Sequence, residues 1–153
     1  MKKSIFVIML MAFSFSMMAQ SPLPKGGTQL NAGFGLDDEG ELPVYAGVDF
    51  GIANNLTLGP YVGISGEYVS ITGNLNYHFD ELFGLDPDWN IYAGINAGFV
   101  SDTNDDNGDN DDGFGIGAQL GARYFFSDNI GVNLEAGGGN QVSGGKLGIT
   151  VVF

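Results

Sequence analysis

From Leu42 onward the chain alternates: Leu42, Val44, Ala46, Val48, Phe50 and Ile52 fall on one parity, and Pro43, Tyr45, Gly47, Asp49, Gly51 and Ala53 on the other. A period of two is the signature of a β-strand with one apolar face and one small or polar face. The same pattern predicts a first strand over Thr28 to Leu36, with Leu30, Ala32, Phe34 and Leu36 on the apolar parity, and a third over Leu56 to Ile64. A fourth is predicted over Val69 to Phe79, a fifth over Trp89 to Phe99, a sixth over Phe114 to Phe126, a seventh from Ile130, and an eighth over Lys146 to Phe153. Two positions break the pattern. Pro60 sits mid-strand, where it cannot donate to a ladder, so a bulge or kink is expected there; Gly73 is a smaller irregularity on the same parity.

Eight is an even number of strands, and their connections fall into two sets. Asp37 to Glu41, Ser65 to Tyr68, Ser101 to Gly113 and Gly138 to Gly145 form one; Asn54-Asn55, Asp80 to Asp88 and Ser127 to Asn129 form the other. With the first strand starting in the periplasm, the whole first set lies outside the cell. Aromatic placement separates a soluble barrel from a membrane barrel turned apolar-side out. On the apolar parity Phe34, Tyr68, Phe99 and Phe114 lie at one end of the strands, and Phe50, Tyr77, Phe79, Trp89, Tyr124, Phe126 and Phe153 at the other, with aliphatic residues between. Two aromatic girdles flanking an aliphatic band fit a bilayer. A water-facing wall would carry more charge than the Gly, Asn, Gln and Thr of the other parity. The predicted fold is therefore all-β: an eight-stranded antiparallel up-and-down transmembrane β-barrel.

The N-terminus adds an export signal. Lys2 and Lys3 precede an apolar run from Ile5 to Met18, and Ala19 meets Gln20 at a small-residue junction. This pattern predicts a cleaved signal peptide over 1–19 and a barrel domain over 20–153 in the bacterial outer membrane; an uncleaved anchor helix is the alternative. The chain has no cysteine, so disulfides, thiolate metal sites and a lipid-modified N-terminal cysteine are excluded. Without Lys2 and Lys3, the cations Lys25, Arg123 and Lys146 face 18 acids, and the formal charge moves from −13 to −15. Such a chain is no nucleic-acid binder.

Several stretches carry a resemblance: the leader ending "MAQ", "LNYHFDELFGLDPDWNIYAGINAGF", "GARYFFSDNIGVNLEAGGG" and the terminal "GITVVF". Together they resemble the small outer-membrane β-barrel proteins of OmpA/OmpX-like or "porin family" type seen in Bacteroidetes-like bacteria. The resemblance implies an eight-stranded barrel and a C-terminal aromatic, here Phe153, that serves as the signal read by the outer-membrane assembly machinery. It implies no peptidoglycan-binding domain after Phe153.

Chemistry is sparse. The lumen of an eight-stranded barrel is just wide enough for side chains to fill. Inward glycines such as Gly47, Gly63, Gly94, Gly117, Gly121 and Gly148 make room for Tyr45, Tyr61, Tyr92 and Arg123. A lumen charge network is expected from Arg123, Glu135, Lys146 and Asp49: hairpin register puts Arg123 one diagonal step from Glu135, and Lys146 begins the neighbouring strand. Asp49 has no evident partner beyond Gln29, and Glu67 has none. Such charges serve structural pairing or, alternatively, conduction of protons or solutes. No catalytic residue is expected, because the one histidine, His78, lies at the periplasmic end, far from the outer loops.

The stretch "SDTNDDNGDNDDG", residues 101–113, holds six aspartates and no cation. It reads as a solvated, turn-rich outer loop. Asp105, Asp106, Asp109, Asp111 and Asp112 offer hard oxygens for loosely held Ca²⁺ or Mg²⁺. Their spacing is not that of an EF-hand: with Gly108 sixth, the first and twelfth positions are Thr103 and Phe114. Neither a cofactor nor a firm metal site is predicted. The expected partners are the lipid bilayer and lipopolysaccharide, whose phosphates the same ions could bridge, and the expected state is a monomer. The function that follows is a structural or surface-interaction role through acidic loops. The alternatives are a narrow passive pore and Ca²⁺-dependent adhesion.

Overall fold

The computed structural model describes residues 23–36, 42–66, 68–102, 113–140 and 144–153. Eight strands follow one another: β1 (Thr28–Leu36), β2 (Val44–Ala53), β3 (Leu56–Ile64), β4 (Tyr68–His78), β5 (Trp89–Asp102), β6 (Gly113–Phe125), β7 (Ile130–Gly139) and β8 (Gly144–Val152). A four-residue helical turn, α1 (Asp80–Phe83), lies in the link that joins β4 to β5. Every strand pairs antiparallel with the next, and β1 pairs with β8 from Gln29↔Val152 to Leu36↔Gly145, so the sheet closes into a barrel. Among the described residues no helix is long and apolar enough to cross a membrane.

The barrel inverts the usual distribution of polarity. Its buried residues are mostly Asn, Gln, Thr, Asp, Arg, His and Glu, whereas Leu30, Leu58, Ile71, Ile95, Phe99, Leu120, Leu134 and Ile149 are exposed. Soluble domains hide such side chains and display the polar ones. A wall of this kind is stable only against hydrocarbon, which also requires a closed sheet so that no backbone polar group faces lipid.

Aromatic pairs mark both limits of the apolar wall. Phe99 and Phe114, opposite each other on β5 and β6, meet edge to face at 5.4 Å near the long-loop end. Near the short-turn end Trp89 and Tyr124 pair at 4.9 Å, and Tyr77 and Phe79 at 5.0 Å.

Strand limits differ from the predicted ones chiefly in β5, which runs on to Asp102. Beyond the bilayer a strand no longer needs an apolar face, so periodicity underestimates its length. The bulge expected at Pro60 is absent. Pro60 pairs with Gly73 in an unbroken β3–β4 register, so the two irregularities of the pattern lie opposite each other. Toward β2 the register is the same on both sides of Pro60, with Gly47↔Tyr61 and Phe50↔Leu58, but Val48 and Asp49 have no partner between them. The missing proline N–H is absorbed by two dropped pairs rather than by a slip. The register shift on that ladder sits at Gly51/Ala53, beside the hairpin.

Candidate functional site: the barrel lumen

The lumen has three levels. At the short-turn end, residues 23–27 fold back against the start of the barrel: Gly26 N–H donates to the Gly51 carbonyl (2.8 Å) and Gly51 N–H to that of Gly27 (3.0 Å). This brings Leu23 onto the lumen-facing Phe125 and Val152, and the three form a small buried apolar cluster.

Above it lies a polar core. Arg123 on β6 and Asp49 on β2 form an ion pair at 3.1 Å, with relative exposures of 2% and 0%. Four donors converge on Asp49 Oδ2: Tyr61 OH at 2.9 Å, Asn31 Nδ2 at 3.0 Å, Arg123 Nη2 at 3.1 Å and Gln29 Nε2 at 3.3 Å. Arg123 Nη1 donates to Asn90 Oδ1 at 2.9 Å, and its guanidinium lies 4.1 Å over the Tyr92 ring. Charge-assisted hydrogen bonds and stacking of this kind are what make a buried ion pair tolerable, since desolvation otherwise cancels its attraction. Asp49 Oδ1 and Arg123 Nε make no hydrogen bond.

Tyr92 links this pair to a second. Its hydroxyl donates to Glu135 Oε2 at 2.8 Å, and Lys146 Nζ donates to Glu135 Oε1 at 2.8 Å. The four predicted charges are thus joined in one cluster, but the pairing differs from the expected one. Arg123 is a diagonal neighbour of Glu135, since Gly121↔Glu135 and Arg123↔Asn133 are in register. It pairs instead with Asp49 across the barrel. The reason is Tyr92, whose ring covers Gly121 so closely that a Cβ there would collide with it. That ring fills the space between the guanidinium and Glu135. Asp49, expected to have no evident partner beyond Gln29 or a water, accepts four hydrogen bonds.

Two amide networks complete the packing. Asn31 Oδ1 accepts from Thr150 Oγ1 (2.7 Å), which accepts from Asn133 Nδ2 (3.0 Å), and Asn133 Oδ1 accepts from Tyr45 OH (2.7 Å). Gln119 donates to Asn76 Oδ1 (2.6 Å) and accepts from Asn96 Nδ2 (2.9 Å). His78, a lumen residue, lies 3.0 Å from Thr57 Oγ1 and 2.7 Å from Asn90 Nδ2, and Asn90 also donates to Asp80 Oδ2 at 2.6 Å. The hydrogen-bonded group of Asp80, Asn90 and His78 has no joint signal in the sequence, because His78 and Asn90 lie on the two sides of the β4–β5 link and Asp80 lies within it.

The third level is a cavity of about 70 Å³ below the long-loop end, walled by Tyr45, Tyr61, Ser70, Asn96 and Gln119, with the Glu135–Lys146 pair at its side. Lys146 keeps 25% exposure. Among the described residues no group of three or more metal-ligating side chains comes together. Asp105, Asp106, Asp109, Asp111 and Asp112, Glu67 and the leader over 1–19 lie outside the described residues.

Comparison with curated proteins gives no match. Among solved structures the chain is similar to a de novo designed transmembrane β-barrel, with 20% identity, 84% of this chain and 97% of that one covered, and a TM-score of 0.62. It is also similar to the N-terminal β-barrel domain of Pseudomonas aeruginosa OprF, at 16% identity, 84% and 98% coverage and a TM-score of 0.57. The neisserial surface protein NspA aligns at 17% identity, 83% and 95% coverage and a TM-score of 0.50. The family model for the outer membrane protein beta-barrel domain matches residues 5–149. With an apolar outer wall, a polar interior and a closed eight-stranded ladder behind that match, the chain belongs to the outer-membrane β-barrel family and is an outer-membrane protein.

Proposed function

We propose that this barrel is a non-conducting, non-enzymatic outer-membrane protein that acts as a structural element and as a surface-interaction platform through its acidic extracellular loops. The observation that carries the reading is the filled lumen: an apolar cluster, a buried ion pair and two amide networks occupy it from the short-turn end to mid-height. With the short turns in the periplasm, as is general for such barrels, the long loops and Asp105, Asp106, Asp109, Asp111 and Asp112 face outward. Loosely held Ca²⁺ or Mg²⁺ between these acids and lipopolysaccharide phosphates follows from their charge. The chain is exported with cleavage after Ala19, inserted by the assembly machinery through its terminal Phe153, and works as a monomer.

Single-channel recording on refolded protein tests the lumen: silent bilayers are expected, and stable conductance steps favour the narrow pore. The cavity below the long-loop end and the unbonded Asp49 Oδ1 and Arg123 Nε give that second reading its footing. Calorimetry tests the loop. Saturable Ca²⁺ binding that vanishes when Asp109, Asp111 and Asp112 become Asn turns the reading toward metal-dependent adhesion.

A further inference from the structure

The ten-residue link between β4 and β5, residues 79–88, is a built structure. Phe83 N–H donates to the Phe79 carbonyl at 3.0 Å, and Leu85 N–H to that of Asp80 at 3.0 Å. Gly84 closes the turn in the left-handed region at φ 59°, which glycine adopts at no steric cost. The Asp80 carboxylate is turned inward, accepting Ile91 N–H at 2.7 Å and Asn90 Nδ2 at 2.6 Å. Glu81 Oε2 accepts Asn55 Nδ2 at 3.0 Å and so ties the link to the β2–β3 hairpin.

Outward the link shows two large apolar side chains beside the exposed acids Glu81, Asp86 and Asp88. Leu82 is 70% and Phe83 61% exposed. The Phe83 ring stacks on Phe79 at 5.9 Å, and Phe79 meets Tyr77, an exposed residue of the apolar wall, at 5.0 Å. Tyr77, Phe79 and Phe83 therefore form an aromatic row that continues the lower girdle past the end of β4. Aromatic and leucine side chains next to carboxylates and free turns suit the boundary between acyl chains and headgroups, where one side of a segment is greasy and the other wet.

We propose that Leu82 and Phe83 form an interfacial foot, seated in the phospholipid headgroup–acyl boundary at the short-turn end, that fixes the depth of the barrel on its β4–β5 side. The occupant is lipid because the foot is continuous with the wall that lipid already covers. The proposal rests on the membrane seat of the barrel, and its test separates the two.

The full chain has no native cysteine, so Leu82→Cys, Phe83→Cys, Asp86→Cys and Leu120→Cys each carry one nitroxide after labelling. All four positions are exposed; Phe83→Cys gives up the ring stacked on Phe79, whereas Leu82→Cys keeps it, so the label at 82 reads the foot with its aromatic row intact. In phosphatidylethanolamine/phosphatidylcholine vesicles, labels at 82 and 83 are expected to collide several-fold more with oxygen, relative to a water-soluble nickel complex, than the label at 86. Their values should approach that at the lipid-facing position 120. Nickel-dominated values at 82 and 83 that match 86 overturn the foot and leave these side chains for a soluble partner. Nickel-dominated values at 120 overturn the membrane seat itself.

Discussion

Arg123 shows how much one buried charge depends on its neighbours. Its partner Asp49 is fully shielded from solvent, Asn90 accepts from Nη1, and the Tyr92 ring covers the guanidinium face, while Nε makes no hydrogen bond. Asp49→Ala leaves that cation uncompensated, a change that costs ~3–5 kcal/mol in buried pairs. Lys146→Met is expected to cost less than that, because the ammonium is already 25% exposed and Glu135 keeps the Tyr92 hydroxyl as a donor. Urea unfolding of the refolded barrel in vesicles reads both, and equal losses would contradict the ranking. The glycines supply a second contrast. A methyl at Gly47 meets the Tyr61 ring and one at Gly121 the Tyr92 ring, whereas at Gly73 the nearest atom is the Ala97 carbonyl oxygen at 3.9 Å. Gly47→Ala and Gly121→Ala are therefore expected to destabilise by ~1–3 kcal/mol, the usual range for overpacking. Gly73→Ala should stay within about 0.5 kcal/mol of the native protein in the same measurement.

The strands themselves were legible in the sequence because one face of each meets hydrocarbon, and a strict period of two survives where every second residue is under that constraint. β1 and β3 have the limits that alternation predicts, and the two aromatic girdles fall where parity places them. Legibility stops where the constraint stops. The extension of β5 to Asp102 lies beyond the apolar band, and α1 is too short to show a helical period. The pairing of Arg123 was illegible for another reason. Hairpin register reports neighbours along the wall, whereas Asp49 reaches Arg123 across the lumen from a strand 74 positions earlier. The cost of a charge on the lipid face should depend on its depth. Ile95→Arg, mid-strand and 60% exposed, is expected to lose ~2–4 kcal/mol in a bilayer, as arginine does at a barrel midplane. Ser101→Arg, near the loop end of the same face, should cost about 1 kcal/mol or less, and denaturant midpoints in vesicles distinguish the two.

At the scale of the molecule, every described strand has two hydrogen-bonded neighbours, and the polar core ties opposite walls together. Such a barrel is expected to resist dodecyl sulfate until heated. Unboiled protein from the outer-membrane fraction should migrate differently from boiled protein on a gel, and a single heat-independent band from a soluble fraction would mean that the apolar face lines an interior after all.

The pairing of β1 with β8 also sets a timetable. Asn31 accepts from Thr150, 119 residues later, so the first strand to leave the export machinery has no second neighbour until the last one arrives. Contacts that distant in sequence make assembly slow, because chain entropy is lost long before the final contacts repay it. Through that wait the half-made sheet offers one unpaired margin at each side, and any chaperone or insertase that handles this protein has to shield both until Gly145 reaches Leu36.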